Sequence, residues 1–180
     1  MLKHLDQHNI LVDCQHDFRS KCSCETQLLT LSHELLSNLH TGKQTDLIIL
    51  DFSKTFDNVP HKKLLRQLDN YGIRGNIWNW ISAFLSNRQQ RVVLDGEDSS
   101  QISVVSGSSG VGLGPLLFIV FTYDIPASVS SKTRLFADDC ILYRTIENHQ
   151  ECVTLQMDLN KLALWGSTWV YSIIRKNVIL

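Results

Sequence analysis

Leu47-Ile48-Ile49-Leu50-Asp51-Phe52-Ser53-Lys54-Thr55-Phe56-Asp57-Asn58-Val59-Pro60-His61 is the stretch that decides the fold. From Asp46 to Asp51 it is a short apolar run bounded by acids, the pattern of a central strand buried on both faces. Asn58-Val59-Pro60-His61 then opens a helix, with Pro60 near the first turn, where a missing N–H costs nothing. A carboxylate at the end of a buried strand is costly unless it meets a cation. Asp51 therefore points to metal binding or to a solvent-exposed edge.

Upstream, Leu28, Leu31, Leu35 and Leu39 recur at helical spacing and predict a helix over residues 24 to 40, with Gly42 as its stop. Downstream, Leu64, Leu65 and Leu68 form the stripe of the helix opened at Pro60, closed by Tyr71-Gly72. A second helix is expected over about 75 to 86, with Ile77, Trp78, Ile81, Phe84 and Leu85 on one side. Gln90 to Leu94 and Ile102 to Val105 read as strands joined across Asp95-Gly96. Gly107 to Gly114 is loop-like, and Leu116 to Tyr123 suits a buried helix. Thr133 to Ala137 and Cys140 to Tyr143 are strands meeting at Asp138-Asp139. A helix is expected over about 148 to 165, and the tail from Val170 to Leu180 could be a strand. Irregular alternation of this kind predicts an α/β or α+β sheet with helices mainly on one face.

Composition bounds the classes. The chain has 180 residues, 43% hydrophobic and 19% charged, enough for one sizeable core. A net charge of −1 and a pI near 6.6 argue against gripping nucleic acid by bulk charge alone. No apolar run spans a bilayer, and Met1 to Asp6 lacks a signal peptide's apolar core, so an intracellular chain with no membrane partner is expected. Cys14, His16, Cys22 and Cys24 could offer four zinc ligands, but one-residue gaps suit zinc poorly, and reduced thiols are the simpler reading of five cysteines.

If the strands ending in Asp51 and Asp138 lie side by side, their carboxylates could hold two Mg²⁺ ions roughly 4 Å apart, as in-line phosphoryl transfer requires. The bland alternative is that Asp138-Asp139 is only a polar hairpin tip. Here a resemblance enters. The stretch from Leu47 to His61 resembles the first catalytic motif of non-LTR retrotransposon reverse transcriptases. Phe136-Ala137-Asp138-Asp139, continued by Cys140-Ile141-Leu142-Tyr143, is similar to that family's aromatic-Ala-Asp-Asp motif. Gly114-Pro115-Leu116-Leu117-Phe118 looks like the end of the motif between them, and His16-Asp17-Phe18-Arg19-Ser20 resembles the fingers motif.

The resemblance implies an α+β polymerase palm, an antiparallel sheet backed by helices, over residues 46–180. A partial fingers region would occupy 1–45, with the thumb absent. It implies RNA-directed DNA synthesis, with an RNA template, a DNA primer and deoxynucleoside triphosphates as partners. Asp51 and Asp138 would coordinate two Mg²⁺ ions, with Asp139 alongside. Those ions would lower the pKa of the primer 3′-hydroxyl and neutralise triphosphate charge. Phe56 would screen against a ribose 2′-hydroxyl, and Arg19 would stand near the triphosphate, where a guanidinium fork suits phosphate oxygens. Lys176 is a weak match to a later motif's lysine.

Departures from the pattern imply impairment. The middle motif usually reads Gly-x-Pro-Gln-Gly-Ser-x-x-Gly-Pro, but Gly107 to Pro115 lacks the Pro-Gln pair and is one residue short. Asp17 replaces the fingers glycine and adds negative charge where triphosphate should sit, and Cys22 falls where the family tends to be basic. The expectation is a damaged copy with little turnover, against the alternative of a non-catalytic palm remnant with residual nucleic-acid or metal binding. A more distant resemblance, to haloacid-dehalogenase-type phosphatases through Asp51-x-Ser53-x-Thr55, lacks the second Asp that supplies the general acid, because Ser53 stands there.

Overall fold

The computed structural model describes residues 1–8, 10, 12–16, 22–52, 59–104, 106–107, 113–168 and 173–179; of residues 2, 3, 6 and 173–179 it describes the backbone. In chain order the elements are α1 (Leu2–Gln7), α2 (Cys24–His40), β1 (Gln44–Phe52), α3 (His61–Asn70), α4 (Gly75–Leu85), β2 (Arg88–Gln90), β3 (Val93–Leu94), β4 (Glu97–Asp98), β5 (Ile102–Val104), α5 (Leu113–Thr122), α6 (Ile125–Ser128), β6 (Lys132–Phe136), β7 (Asp139–Ile146), α7 (His149–Thr168) and β8 (Ile173–Ile179). They fall into two compact units, one of residues 1–10 and 56–121, the other of 11–55 and 122–180.

The second unit holds a four-stranded antiparallel sheet in the order β6-β7-β1-β8. β1 is central, as its apolar run requires; Leu50 is wholly buried, and Leu47 and Ile48 nearly so. Residues directly opposite one another share a face. Leu47, Ile49, Ile141 and Tyr143 make one face, which packs against Leu31 and Leu35 of α2. Phe52 belongs to the other face and meets Trp165 of α7 edge-on, with ring centroids 5.7 Å apart. Helices thus pack on both faces of the sheet, where the sequence suggested mainly one.

Helix α2 begins at residue 24 because Ser23 and Thr26 cap each other. Ser23 Oγ accepts from the Thr26 N–H at 3.2 Å, and Thr26 Oγ1 accepts from the Ser23 N–H at 2.8 Å. Such a box satisfies two otherwise orphaned donors. The sheet-facing stripe differs from the expected row of leucines. Gln27 and Leu31 are buried, whereas Leu28 and Leu39 stay more than half exposed. Polar side chains dock the helix instead. Gln27 Nε2 donates to the Leu135 carbonyl at 3.0 Å, and Asn38 Nδ2 donates to Thr45 Oγ1 and Thr145 Oγ1, both at 3.0 Å.

The first unit contains the α3–α4 helix pair, whose buried side chains are Leu64, Leu68, Ile81 and Leu85. Trp78 Nε1 donates to the Leu65 carbonyl at 3.1 Å and ties the pair together. Ile77, expected on the buried side of α4, is 49% exposed. The strands expected at 90–94 and 102–105 form one interrupted hairpin. Arg88–Gln90 pairs with Ile102–Val104, and Val93–Leu94 with Glu97–Asp98. Between the two ladders, residues 91–92 face residues 99–101, an extra residue on one side as in a β-bulge. The turn is Asp95-Gly96, both at positive φ (+50° and +87°), the primed type that Asp-Gly favours.

Candidate nucleotidyl-transfer site

Asp51 is the Cα partner of Asp139 across β1 and β7. Phe136 and Asp139 are partners across β6 and β7, so that hairpin closes on two residues, Ala137-Asp138. Ala137 takes φ +49°, a left-handed conformation that costs a residue with a Cβ about 1–2 kcal/mol. The tight turn puts Asp138 at the tip and returns Asp139 to the ladder opposite Asp51. The Phe52 N–H donates to the Asp138 carbonyl at 3.4 Å and carries the β1–β7 contact one step further. Strain of this kind is typical where a geometry is held for function.

Asp51 and Asp139 are exposed and Asp138 is half-buried. Being directly opposite, Asp51 and Asp139 project from the same face of the sheet, where Cβ atoms lie about 5 Å apart and like charges repel. Among the described residues no ion pair involves Asp51 or Asp138. A divalent cation is one partner that would relieve that repulsion, and hard carboxylate oxygens suit Mg²⁺. Among the described residues no three of His, Cys, Asp and Glu stand close enough to hold an ion. The three expected acids are therefore neighbours along two strands and a turn, not a closed cage.

The frame under these carboxylates is polar as well as apolar. Arg134 NH2 donates to Glu34 Oε1 at 2.8 Å, and the Tyr143 hydroxyl donates to Glu34 Oε2. Burial works to raise the Glu34 carboxyl, but the Tyr143 hydrogen bond and the Lys132 and Arg134 charges outweigh it and hold it below the ordinary value. Burial, with Glu34 alongside, pushes Tyr143 up to about 12. Cys140, next to Asp139, is wholly buried, and that burial pushes its thiol up to about 12. It is packing, not a nucleophile. Asn38 fixes the C-terminal end of α2 at the start of β1, so the helix N-terminus lies toward the sheet end that carries Asp51 and Asp139.

Arg19 and Phe56 lie outside the described residues, as do Asp17 and residues 108–112 of the glycine-rich segment. The start of the glycine-rich segment is described in the first unit. Pro60 bridges Ser106, the Gly107 N–H donates to the Val59 carbonyl at 2.9 Å, and His61 Nε2 donates to the Gly107 carbonyl at 2.7 Å. His61 was visible in the quoted motif, but only the fold shows that it anchors the start of the glycine-rich stretch. Lys176 is the register partner of Ile49 on β8. The cysteines among the described residues are free thiols.

A helix-packed antiparallel sheet with carboxylates at adjoining strand ends defines a polymerase palm of the α+β class. A solved structure of apo telomerase from Candida tropicalis, truncated from its C-terminal domain, has the same fold, with a TM-score of 0.59 over 98% of this chain and 40% of that one, at 12% identity. The family model described as reverse transcriptase (RNA-dependent DNA polymerase) matches residues 1–174, and this chain belongs to that family. It is 24% identical over 172 residues to the probable RNA-directed DNA polymerase from transposon X-element of Drosophila melanogaster, covering 92% of this chain and 19% of that protein. It is 27% identical over 129 residues to the retrovirus-related Pol polyprotein from type-1 retrotransposable element R2 of Popillia japonica, covering 64% and 21%. The chain thus spans about a fifth of the length of these relatives. The expected kinship with non-LTR retrotransposon reverse transcriptases is met, and the phosphatase resemblance gives way to it.

Proposed function

We propose that this chain carries the catalytic palm for RNA-templated DNA synthesis, and that this copy retains its metal site but turns over poorly. The observation that carries the reading is the register of Asp51 against Asp139 with Asp138 at the adjoining turn. Asp51 and Asp138 would hold two Mg²⁺ ions, with Asp139 alongside. When bound, the ions supply a more acidic primer 3′-hydroxyl and charge neutralisation on the incoming triphosphate. Arg19 would meet triphosphate oxygens, and Phe56 would exclude a ribose 2′-hydroxyl. The palm is assigned to 46–180 and the partial fingers to 1–45, in an intracellular protein whose partners are an RNA template, a DNA primer and deoxynucleoside triphosphates. Among the described residues no helix is long and apolar enough to cross a membrane.

Poor turnover follows from the sequence of the middle motif. Without Pro-Gln and one residue short, Gly107 to Pro115 cannot seat nucleotide and template as the family does, and Asp17 opposes triphosphate charge. Misplacement by about 1 Å can cost 10²-fold in rate. Mg²⁺-dependent primer extension on an RNA template, run beside Asp138→Asn, tests the reading. The expected result from a folded sample is no extension above that variant. Robust extension that vanishes in Asp138→Asn would establish an active polymerase and overturn the impairment. Robust extension that survives the substitution would overturn the site.

A further inference from the structure

In the first unit, α3 and α4 enclose an open groove of about 570 Å³, whose lining includes Lys62, Leu65, Arg66, Asp69, Arg74 and Trp78. The charge around it is lopsided. Between Val59 and Arg91 stand six basic residues and one acidic one, in a chain of net charge −1. Most of the chain is therefore acidic, and its positive charge is concentrated on this helix pair and its exit. Lys62, Arg66 and Arg74 are exposed, while Leu65 and Trp78 are half-buried in the groove floor. The one acid, Asp69, accepts from Arg74 Nε at 2.7 Å. Among the described residues no ion pair engages Lys62 or Arg66.

From this we propose a second nucleic-acid contact, apart from the carboxylates: the α3–α4 groove binds single-stranded RNA. Lys62 and Arg66 would hold phosphates, with the Trp78 indole beneath a base. Charge complementarity selects a polyanion. The half-buried indole selects a single strand, because a duplex hides its base faces while an unpaired strand offers both phosphates and a stacking surface. Trp78 is already oriented by its hydrogen bond to Leu65, so little ordering is needed on binding. The inference rests on the reading of this chain as one that handles an RNA template, and it names a place on the first unit that would hold such a strand.

Binding of a fluorescein-labelled 20-nucleotide single-stranded RNA by the full chain, followed by anisotropy in EDTA without nucleotide, tests the groove independently of turnover. Lys62→Glu combined with Arg66→Glu should weaken binding at least tenfold at low salt. It should also flatten the dependence of log K on log salt by about 1.4, at roughly 0.7 per lost phosphate contact on a single strand. Should the double variant fail to fold by circular dichroism, Arg66→Gln alone should still lower affinity and flatten the slope by about 0.7. An equal loss from Lys43→Glu with Lys132→Glu, the same charge change on the other unit, would overturn the proposal. So would an unchanged salt slope in the groove variants, or no RNA binding by the wild type. None of these three results would decide the primer-extension test of the palm.

Discussion

Leu142→Ala should lower the unfolding free energy by about 3–4 kcal/mol. Leu142 is wholly buried in β7, with Ile48 of β1 on one side and Thr133 of β6 on the other. Strands on both sides fix the backbone, so the site cannot collapse around the lost atoms, and the cavity term adds to the lost burial. A urea titration should show a lower midpoint at unchanged slope. A loss below about 1 kcal/mol would mean that β7 is not the packed centre of the sheet. The same strand carries Asp139, so packing at Leu142 and placement of the carboxylates are one structural event.

Asp158→Ala should cost about 2–3 kcal/mol, by a different mechanism. The side chain is fully buried on α7. Its Oδ2 accepts from the Ser130 and Ser131 N–H groups at 3.0 and 2.7 Å and from their hydroxyls at 2.9 and 2.8 Å, while Lys161 donates to Oδ1 at 2.9 Å. Burial alone would raise this carboxyl, but the Lys161 and serine hydrogen bonds outweigh it and hold it at about 2. A carboxyl depressed in the folded state stabilises at pH values above the ordinary Asp range. That contribution is lost as pH falls from near 4 through about 2. Acid unfolding of the wild type should therefore steepen in that window, and Asp158→Asn should flatten it. Parallel pH profiles for the two proteins would contradict the assignment.

Leu142 lies in a strand the sequence showed, whereas the buried role of Asp158 needed the fold. The extent of α2 was readable because its leucines recur at helical spacing and Gly42, at φ +69°, follows its end. β1 was readable because two-sided burial leaves an unbroken apolar run, and the β6–β7 hairpin because two strand-like runs flank an acidic pair, although the chain turns at Ala137-Asp138, one residue before the expected Asp138-Asp139. The buried side of α2 was not readable. Gln27, Glu34 and Asn38 look like solvent residues until their partners on β1, β6 and β7 are known, and the exposed leucines then mislead. Asp158 is equally illegible, because its burial depends on Ser130 and Ser131, far from it in the sequence. Nor did the sequence suggest α1 or α6, each too short to show a periodicity. The acids of the site were legible by motif, whereas their cross-strand register needed the fold.

The most direct test of the account is a Mn²⁺ titration followed by electron paramagnetic resonance, on the full chain with a deoxynucleoside triphosphate present. The wild type should bind Mn²⁺ beyond what the nucleotide alone takes up, and Asp51→Asn and Asp138→Asn should each remove that excess. Excess binding that persists in both variants, or no excess in the folded wild type, would contradict the claim that the ends of β1 and the β6–β7 turn form a divalent-metal site.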